Sequence, residues 1–183
     1  MIKTKRLILR NWQASDRQHF AEMNADTEVM QFFPKMLTKE ESNAQIGRMQ
    51  AKHEQNGWGA WAVVVKKTGE FIGMVGLNEV EIDNAIPETP FVEIAWRLRK
   101  AHWGKGYAFE AATACLDYAF NTLRLENIYA FTALINEPSR RLMEKLGMHN
   151  THQDFNHPKV AKGHILERHC LYKIERKTYL EKE

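Results

Sequence analysis

Cysteine is scarce: Cys115 and Cys170 are the only two in 183 residues. Two thiols cannot build a disulfide framework or a four-cysteine zinc site within this chain. Long apolar runs are missing as well. No stretch approaches the roughly 18 residues that cross a bilayer. The opening Met1-Ile2-Lys3-Thr4-Lys5-Arg6-Leu7 lacks the apolar core and cleavage site of a secretory signal. A reducing, cytoplasmic setting with no membrane partner is expected. An excess of one charge is absent too. The net charge of +3 falls short of the concentrated basic face that phosphate backbones demand, so nucleic acid is not an expected partner. Internal repeats and low-complexity tracts do not occur. With 44% hydrophobic and 27% charged residues, the composition is that of a folded chain rather than a disordered or fibrous one. No linker divides it, and one domain over residues 1–183 is expected.

What is present is unevenly spread. Residues 68–96 hold no Lys or Arg but carry Glu70, Glu79, Glu81, Asp83, Glu88 and Glu93. Residues 97–106 hold no acid but carry Arg97, Arg99, Lys100 and Lys105. Solvated loops give such a pattern by chance; a cationic partner beside an anionic one gives it by design.

The hydrophobic pattern predicts alternating elements. Residues 6–12 form a first strand. Ser15-Asp16-Arg17-Gln18 has the form of a capping box opening a helix toward Asp26, and Thr38-Lys39-Glu40-Glu41 is a second one, opening a helix toward Gln55 that Asn56-Gly57 stops. Residues 58–67 are apolar on both faces, and 71–82 follow a turn at Thr68-Gly69-Glu70, which makes a hairpin. A proline-bearing loop spans 83–90. Residues 91–98 form a strand with Val92, Ile94, Trp96 and Leu98 on one face and Glu93 and Arg97 on the other. Residues 106–120 form an amphipathic helix, with apolar residues at Ala108, Ala111, Ala112, Cys115, Leu116, Ala119 and Phe120. A strand over 127–135 follows. Then Asn136 caps a helix with Pro138 in its first turn and Gly147 at its end. Two closing strands occupy 148–155 and 164–174. The order predicts an α+β fold: a mostly antiparallel twisted sheet with one βαβ crossover and helices on both faces.

The chemistry sits where residues 91–98 run through His102-Trp103-Gly104-Lys105-Gly106-Tyr107-Ala108 into a helix. Glycines let a turn converge its N–H groups, and a helix start adds unpaired N–H groups and a positive dipole end. Such a turn suits a phosphate or pyrophosphate, although two glycines also serve simply to bend the chain. Three nucleotide and hydrolase motifs fail here. The dinucleotide fingerprint wants a glycine where Phe109 stands, no P-loop run exists, and no Gly-x-Ser-x-Gly elbow occurs.

Trp103-Gly104-Lys105-Gly106-Tyr107-Ala108, with Glu110-Ala111, resembles the acetyl-CoA pyrophosphate loop of the GNAT superfamily of N-acetyltransferases, with Trp103 where a Gln or Arg is usual. This form is similar to the branch of ribosomal-protein N-terminal (RimJ/RimL-type) acetyltransferases. The opening Thr4-Lys5-Arg6-Leu7-Ile8-Leu9-Arg10 resembles that branch too. So do Asn136-Glu137-Pro138-Ser139 with Lys145-Leu146-Gly147-Met148, where Met148 replaces the usual Phe, and the closing Arg168-His169-Cys170-Leu171-Tyr172. The resemblance spans nearly the whole chain in order.

It implies acetyl-CoA as acyl donor, no metal, and direct attack by an amine in a ternary complex. It implies that strands 91–98 and 127–135 splay around the pantetheine arm, which pairs with backbone at Trp96 and Leu98 while the Asn136 side chain assists. The pyrophosphate would rest on Trp103, Gly104, Lys105, Gly106, Tyr107 and Ala108. A backbone N–H near Ile94 to Trp96 would steady the tetrahedral oxyanion. Glu93 is the first candidate for the base that deprotonates the amine, with a structural pairing to Arg97 as the plain alternative; Glu79 is the second candidate. Many members carry a Tyr seven residues after the Asn. Met143 stands there, and Ser139 takes its place as proton donor to the thiolate, or else simply bonds backbone in the first helical turn.

The acceptor amine is either a protein N-terminus or a small molecule such as a polyamine, antibiotic or amino-acid-like amine. A catalytically weak CoA-binding sensor is the alternative from another class. A homodimer is left open. Met23, Met30, Phe32, Phe33 and Met36 read as packing before an acceptor wall. His149, His152, His157, His164 and His169 read as surface and loop residues rather than metal ligands. Cys115 faces a helix core, and neither cysteine reads as a nucleophile. Trp58, Trp61 and Trp96 read as core.

Overall fold

The computed structural model describes residues 1–181. Two compact units emerge: Met1–Leu77 with Ala95–Cys115, and Asn78–Ile94 with the chain from Leu116 onward.

In the first unit, β1 (Ile2–Lys3), β2 (Leu7–Arg10), β3 (Ala60–Val65) and the leading part of β4 (Phe71–Val80) run antiparallel to their neighbours, and the end of β5 (Phe91–Leu98) completes the order. Helices α1 (Asp16–Asn24), α2 (Lys39–Asn56) and most of α3 (Tyr107–Asp117) belong here. The core gathers Trp12, Phe20, Met23, Met30, Ile46 and Phe71. Trp12 meets Phe20 edge-on at 4.9 Å and donates its indole N–H to the Ala60 carbonyl at 2.9 Å, so its polar end is satisfied as burial requires. Met23 and Met30 are therefore packing, as expected, whereas Phe33 and Met36 stay exposed.

In the second unit, β6 (Asn127–Ala133) and β9 (Arg168–Glu175) pair antiparallel from Asn127 opposite Glu175 to Ala133 opposite His169. The short strands β7 (His149–Asn150) and β8 (Phe155–Asn156) both add to β9. β5 joins β6 through a single parallel bridge, Glu93 opposite Tyr129. That bridge closes the one βαβ crossover, β5–α3–β6. Helices α4 (Glu137–Lys145) and α5 (Arg176–Leu180) complete the unit. Of the expected amphipathic stripe, Ala111, Ala112 and Cys115 in the first unit and Leu116, Ala119 and Phe120 in the second are fully buried, while Ala108 is half-buried. The helix itself changes to a π-helical turn at Tyr118–Thr122. Both cysteines are free and buried, and burial pushes the Cys170 thiol up, which leaves it protonated and inert.

The fold is the expected mostly antiparallel α+β sheet, but several local expectations change. The second capping box forms: Thr38 Oγ1 accepts from Glu41 N–H at 3.1 Å, and Thr38 N–H donates to Glu41 Oε2 at 2.9 Å. The first does not. Ser15 is itself helical and makes no side-chain cap bond. Asp16 is drawn instead into a fork with Arg10 at 2.7 and 2.8 Å, and accepts from the Gln13 N–H at 2.7 Å. A buried bidentate ion pair outweighs a neutral cap. The closing strand expected over 148–155 breaks into β7 and β8, and β1 and α5 were not foreseen. Nor does Arg97 turn to Glu93. Its Nη1 donates to Asn24 Oδ1 at 2.5 Å and its guanidinium lies 4.1 Å over the Phe33 ring.

Candidate active site

In the first unit, β5 ends at Leu98 and a 3-10 turn at Lys100–His102 leads into Trp103. Gly104 and Gly106 then take φ of +70° and +76°. Only glycine adopts this region without strain. A Cβ on Gly104 would meet nothing within 4 Å, and one on Gly106 only Arg6 Nη2 at 3.4 Å. Conformation therefore demands these glycines, and open space is left beside them. The Glu110 N–H reaches the Gly106 carbonyl at 3.1 Å. The N–H groups from Gly104 to Ala108, with the dipole of the 11-residue α3, form a concavity suited to an anion. A pyrophosphate fits this set: two glycines with open space beside them, backbone N–H donors, and the Lys105 cation in the same turn.

Trp103 lies half in solvent and donates its indole N–H to the Leu98 carbonyl at 2.9 Å. That bond fastens the turn to the end of β5 and leaves the carbonyl a second lone pair. One residue escaped the sequence reasoning. Gly73 on β4 has φ +147°, and a Cβ there would lie 2.2 Å from Arg97 O and 2.7 Å from Leu98 Cα. Only a glycine lets β4 press this close to the strand that carries Trp96 and Leu98. A glycine inside an apolar strand pattern was the available signal.

In the second unit, Glu93 stands opposite Tyr129 on β6, with Asn78 Nδ2 donating to its Oε1 at 3.2 Å. The residue keeps some solvent contact, but its carboxyl sits deep among protein atoms, and that depth governs titration. Burial pushes the carboxyl up to about 7, against the lowering effects of the Asn78 hydrogen bond and the Lys159 charge. A carboxyl near 7 takes and releases protons at neutral pH. Glu88 shows the contrast. Bonded by Tyr129 Oη at 2.5 Å and by Gln153, with Lys173 at 3.6 Å, it is held below the usual carboxylate range.

Asn136 caps α4. Its Oδ1 accepts from Ser139 N–H at 3.3 Å while its Nδ2 donates to Thr132 Oγ1 at 2.8 Å. Ser139 lies part-buried in the first turn of that helix. His157 and His169 are not plain surface residues. Their rings lie 4.7 Å apart beside Phe131 and Phe155, and burial pushes His157 down to about 4. A cavity of about 550 Å³ opens at the starts of β5 and β6, with Glu79, Glu81 and Glu126 among the residues around Phe91 and Tyr129; Glu93 does not line it. Among the described residues no group of three His, Cys, Asp or Glu is arranged to hold a metal ion. No helix among them is long and apolar enough to cross a membrane. The first unit thus brings together Trp96, Leu98 and the turn from Trp103 to Ala108; Glu93, Asn136 and Ser139 belong to the second.

Comparison with known proteins identifies the family. The family model described as Acetyltransferase (GNAT) domain matches residues 6–149. The uncharacterized protein YkkB of Bacillus subtilis (strain 168) is 33% identical over 149 residues, 81% of this chain and 84% of YkkB. A GNAT-family acetyltransferase from Bacillus anthracis superposes with a TM-score of 0.79 at 25% identity, over 96% of this chain and 98% of that one. Spermidine N-acetyltransferase from Vibrio cholerae, solved with CoA and spermine, shares the fold at a TM-score of 0.74 and 21% identity, over 95% of this chain and 98% of its own. With a family model matching residues 6–149 and a relative 33% identical over 81% of its length, the chain belongs to the GNAT family and is an acetyl-CoA-dependent N-acetyltransferase.

Proposed function

We propose that the chain acetylates the α-amino group of a protein N-terminus by direct attack in a ternary complex, with Glu93 as the base. The observation that carries this is the Glu93 carboxyl at about 7. An α-ammonium has a pKa of about 8, so transfer to Glu93 is uphill by about one unit, or roughly 1.4 kcal/mol. A lysine or polyamine ammonium at about 10.4 is uphill by more than three units, or roughly 4.6 kcal/mol. The α-amine is thus the easier of the two to deprotonate, and the raised Glu93 carboxyl shortens the uphill step for either.

The residues divide the work in sequence. The N–H groups from Gly104 to Ala108 hold the pyrophosphate. Backbone at Trp96 and Leu98, with the spare Asn136 hydrogen, holds the pantetheine amides. Glu93 removes one proton from the ammonium, directly or through a water. The nitrogen lone pair then forms the C–N bond, and the carbonyl pair moves to oxygen, where a backbone N–H near Ile94 to Trp96 steadies it. Collapse of the oxyanion breaks the C–S bond: the Ser139 hydroxyl gives its proton to the departing thiolate and regains one from the attached nitrogen, which becomes the neutral amide.

A second acceptor class has its own support. The cavity with Glu79, Glu81 and Glu126 suits the remaining ammonium groups of a polyamine. Amine-dependent thiol release from acetyl-CoA separates the two. Peptides with a free N-terminus are expected to turn over, their N-acetylated forms not, and spermidine more slowly with an optimum at higher pH. Preference for spermidine at pH 7 would overturn the α-amine assignment. CoA binding without thiol release for any amine would make the protein a sensor.

A further inference from the structure

The cofactor turn is tied to the N-terminal strand by bonds that a phosphate site does not itself require. Glu110, in the first turn of α3, accepts from Thr4 Oγ1 at 2.5 Å, from the Arg6 N–H at 2.7 Å and from Arg6 Nε at 2.6 Å. Arg6 Nη1 continues to the Lys105 carbonyl at 2.9 Å, and its guanidinium lies 4.6 Å over the Tyr107 ring. Thr4 is itself locked. Its Oγ1 accepts from Leu7 N–H at 2.9 Å and its carbonyl accepts from Lys66 Nζ. Burial alone would raise the Glu110 carboxyl, but the hydrogen bonds from Thr4 and Arg6 and the Arg6 charge hold it below the usual range.

We propose that Arg6 and Glu110 are positioning residues for the pyrophosphate turn, holding the Lys105–Gly106 peptide so that its N–H faces the cofactor. In a trans peptide the carbonyl and the following N–H point in opposite directions. Fixing the Lys105 carbonyl on Arg6 therefore turns the Gly106 N–H away from Arg6, toward the open side of the turn. A glycine at φ +76° flips this peptide easily when untethered, and a flipped carbonyl would present a negative dipole to a diphosphate. The tether sets the orientation before ligand arrives, which lowers the ordering cost of binding. Glu110 does a second thing. A lone carboxylate in the first turn of α3 would compete with the pyrophosphate for the helix dipole. Paired with Arg6, it presents no net charge there. A lysine at position 6 would keep the charge but lose the fork that spans Glu110 and the Lys105 carbonyl.

This rests on the acetyl-CoA site proposed above, and its test separates the two. Calorimetric titration of CoA into wild type, Arg6→Met and Glu110→Gln is paired with turnover on acetyl-CoA and on S-acetylpantetheine, which ends before the pyrophosphate. CoA affinity and kcat/KM for acetyl-CoA should fall about ten-fold or more in both variants, equivalent to about 1.4 kcal/mol, and Arg6→Lys should not restore them. Saturated kcat and the use of S-acetylpantetheine should change less than about two-fold, because the reacting end is untouched. Wild-type protein that binds no CoA would sink the site itself. Wild type that binds while both variants bind equally well would sink only the positioning role. Equal losses on both donors would mean that the cluster merely stabilises the fold, which also overturns the proposal. Should Arg6→Met fail to fold, Glu110→Gln decides alone.

Discussion

The turn from Trp103 to Ala108 and the carboxyl of Glu93 prepare charge by opposite means. The turn collects positive character from peptide N–H groups that do not ionise near neutral pH, so its strength is set by backbone angles and does not vary there. Glu93 is a side chain whose charge is negotiable, because burial has moved its carboxyl to about 7. On the proposed reading the first holds a ligand that is always anionic. The second suits a step in which a proton must leave. Substitutions should therefore act on the turn through conformation and on Glu93 through pH.

The largest effect is expected at Gly106. Gly106→Val forces a β-branched residue into φ +76° and points a side chain at Arg6 Nη2, 3.4 Å from the new Cβ. The strain costs on the order of 1–3 kcal/mol, and the relaxed turn loses convergent N–H groups. KM for acetyl-CoA should rise roughly 100-fold with little dependence on pH, measured as initial rates between pH 6 and 9. An unchanged KM would remove the turn from the site. A KM that varied steeply with pH would break the comparison, since it would mean that a titrating side chain does the holding.

The turn was legible because its requirement is written locally: glycines at fixed spacing, a strand before and an amphipathic helix after. Phe91–Leu98 was legible for the same reason. Glu93 could be placed on its strand, but its depth could not be read, because burial of a carboxyl depends on Asn78 and on everything packed around Tyr129. Arg97 shows the same limit in reverse. Alternation put it beside Glu93, whereas Asn24 and Phe33, more than sixty residues earlier, claim it. Ser15 had the right type at the right spacing for a cap, but Arg10 recruited its neighbour Asp16. The Thr4–Arg6–Glu110 cluster was visible only as two separate stretches of family-like sequence. Long-range partners, rather than periodicity, decide such positions.

Glu93→Gln should separate catalysis from stability. Turnover is expected to drop about 10- to 100-fold near pH 7, with the loss shrinking as rising pH supplies neutral amine without help. Stability should move the other way. The carboxyl is raised from 4.5 to about 7 in the folded protein, so the folded state binds its proton more tightly than the unfolded chain does. The stability this gives is full below about 4.5 and is lost as pH rises toward 7. Above that, a buried carboxylate persists at a cost of up to about 3 kcal/mol. Gln carries no such charge. The variant should melt at the same temperature or lower at pH 4.5, and several degrees higher than wild type at pH 8. Equal melting temperatures at pH 8 with equal activity would make Glu93 an ordinary surface acid.

The smallest effect tests whether Glu93 is tuned from a distance. Lys159 is a cation whose field lowers the Glu93 carboxyl, opposing the burial that raises it. Removing it by Lys159→Met should let the carboxyl climb by a few tenths of a unit, moving the acid limb of the pH–rate profile upward by the same amount. Its field acts without a direct hydrogen bond to Glu93, so dissolved salt screens it, with a Debye length of about 10 Å at 0.1 M and about 3 Å at 1 M. Raising ionic strength in the wild type should therefore shift the acid limb in the same direction, and in Lys159→Met it should shift it less. The turn offers no counterpart, because its peptide groups do not titrate: salt weakens its grip on a diphosphate at every pH alike. If salt moved the acid limb equally in wild type and variant, the tuning would have to come from groups other than Lys159.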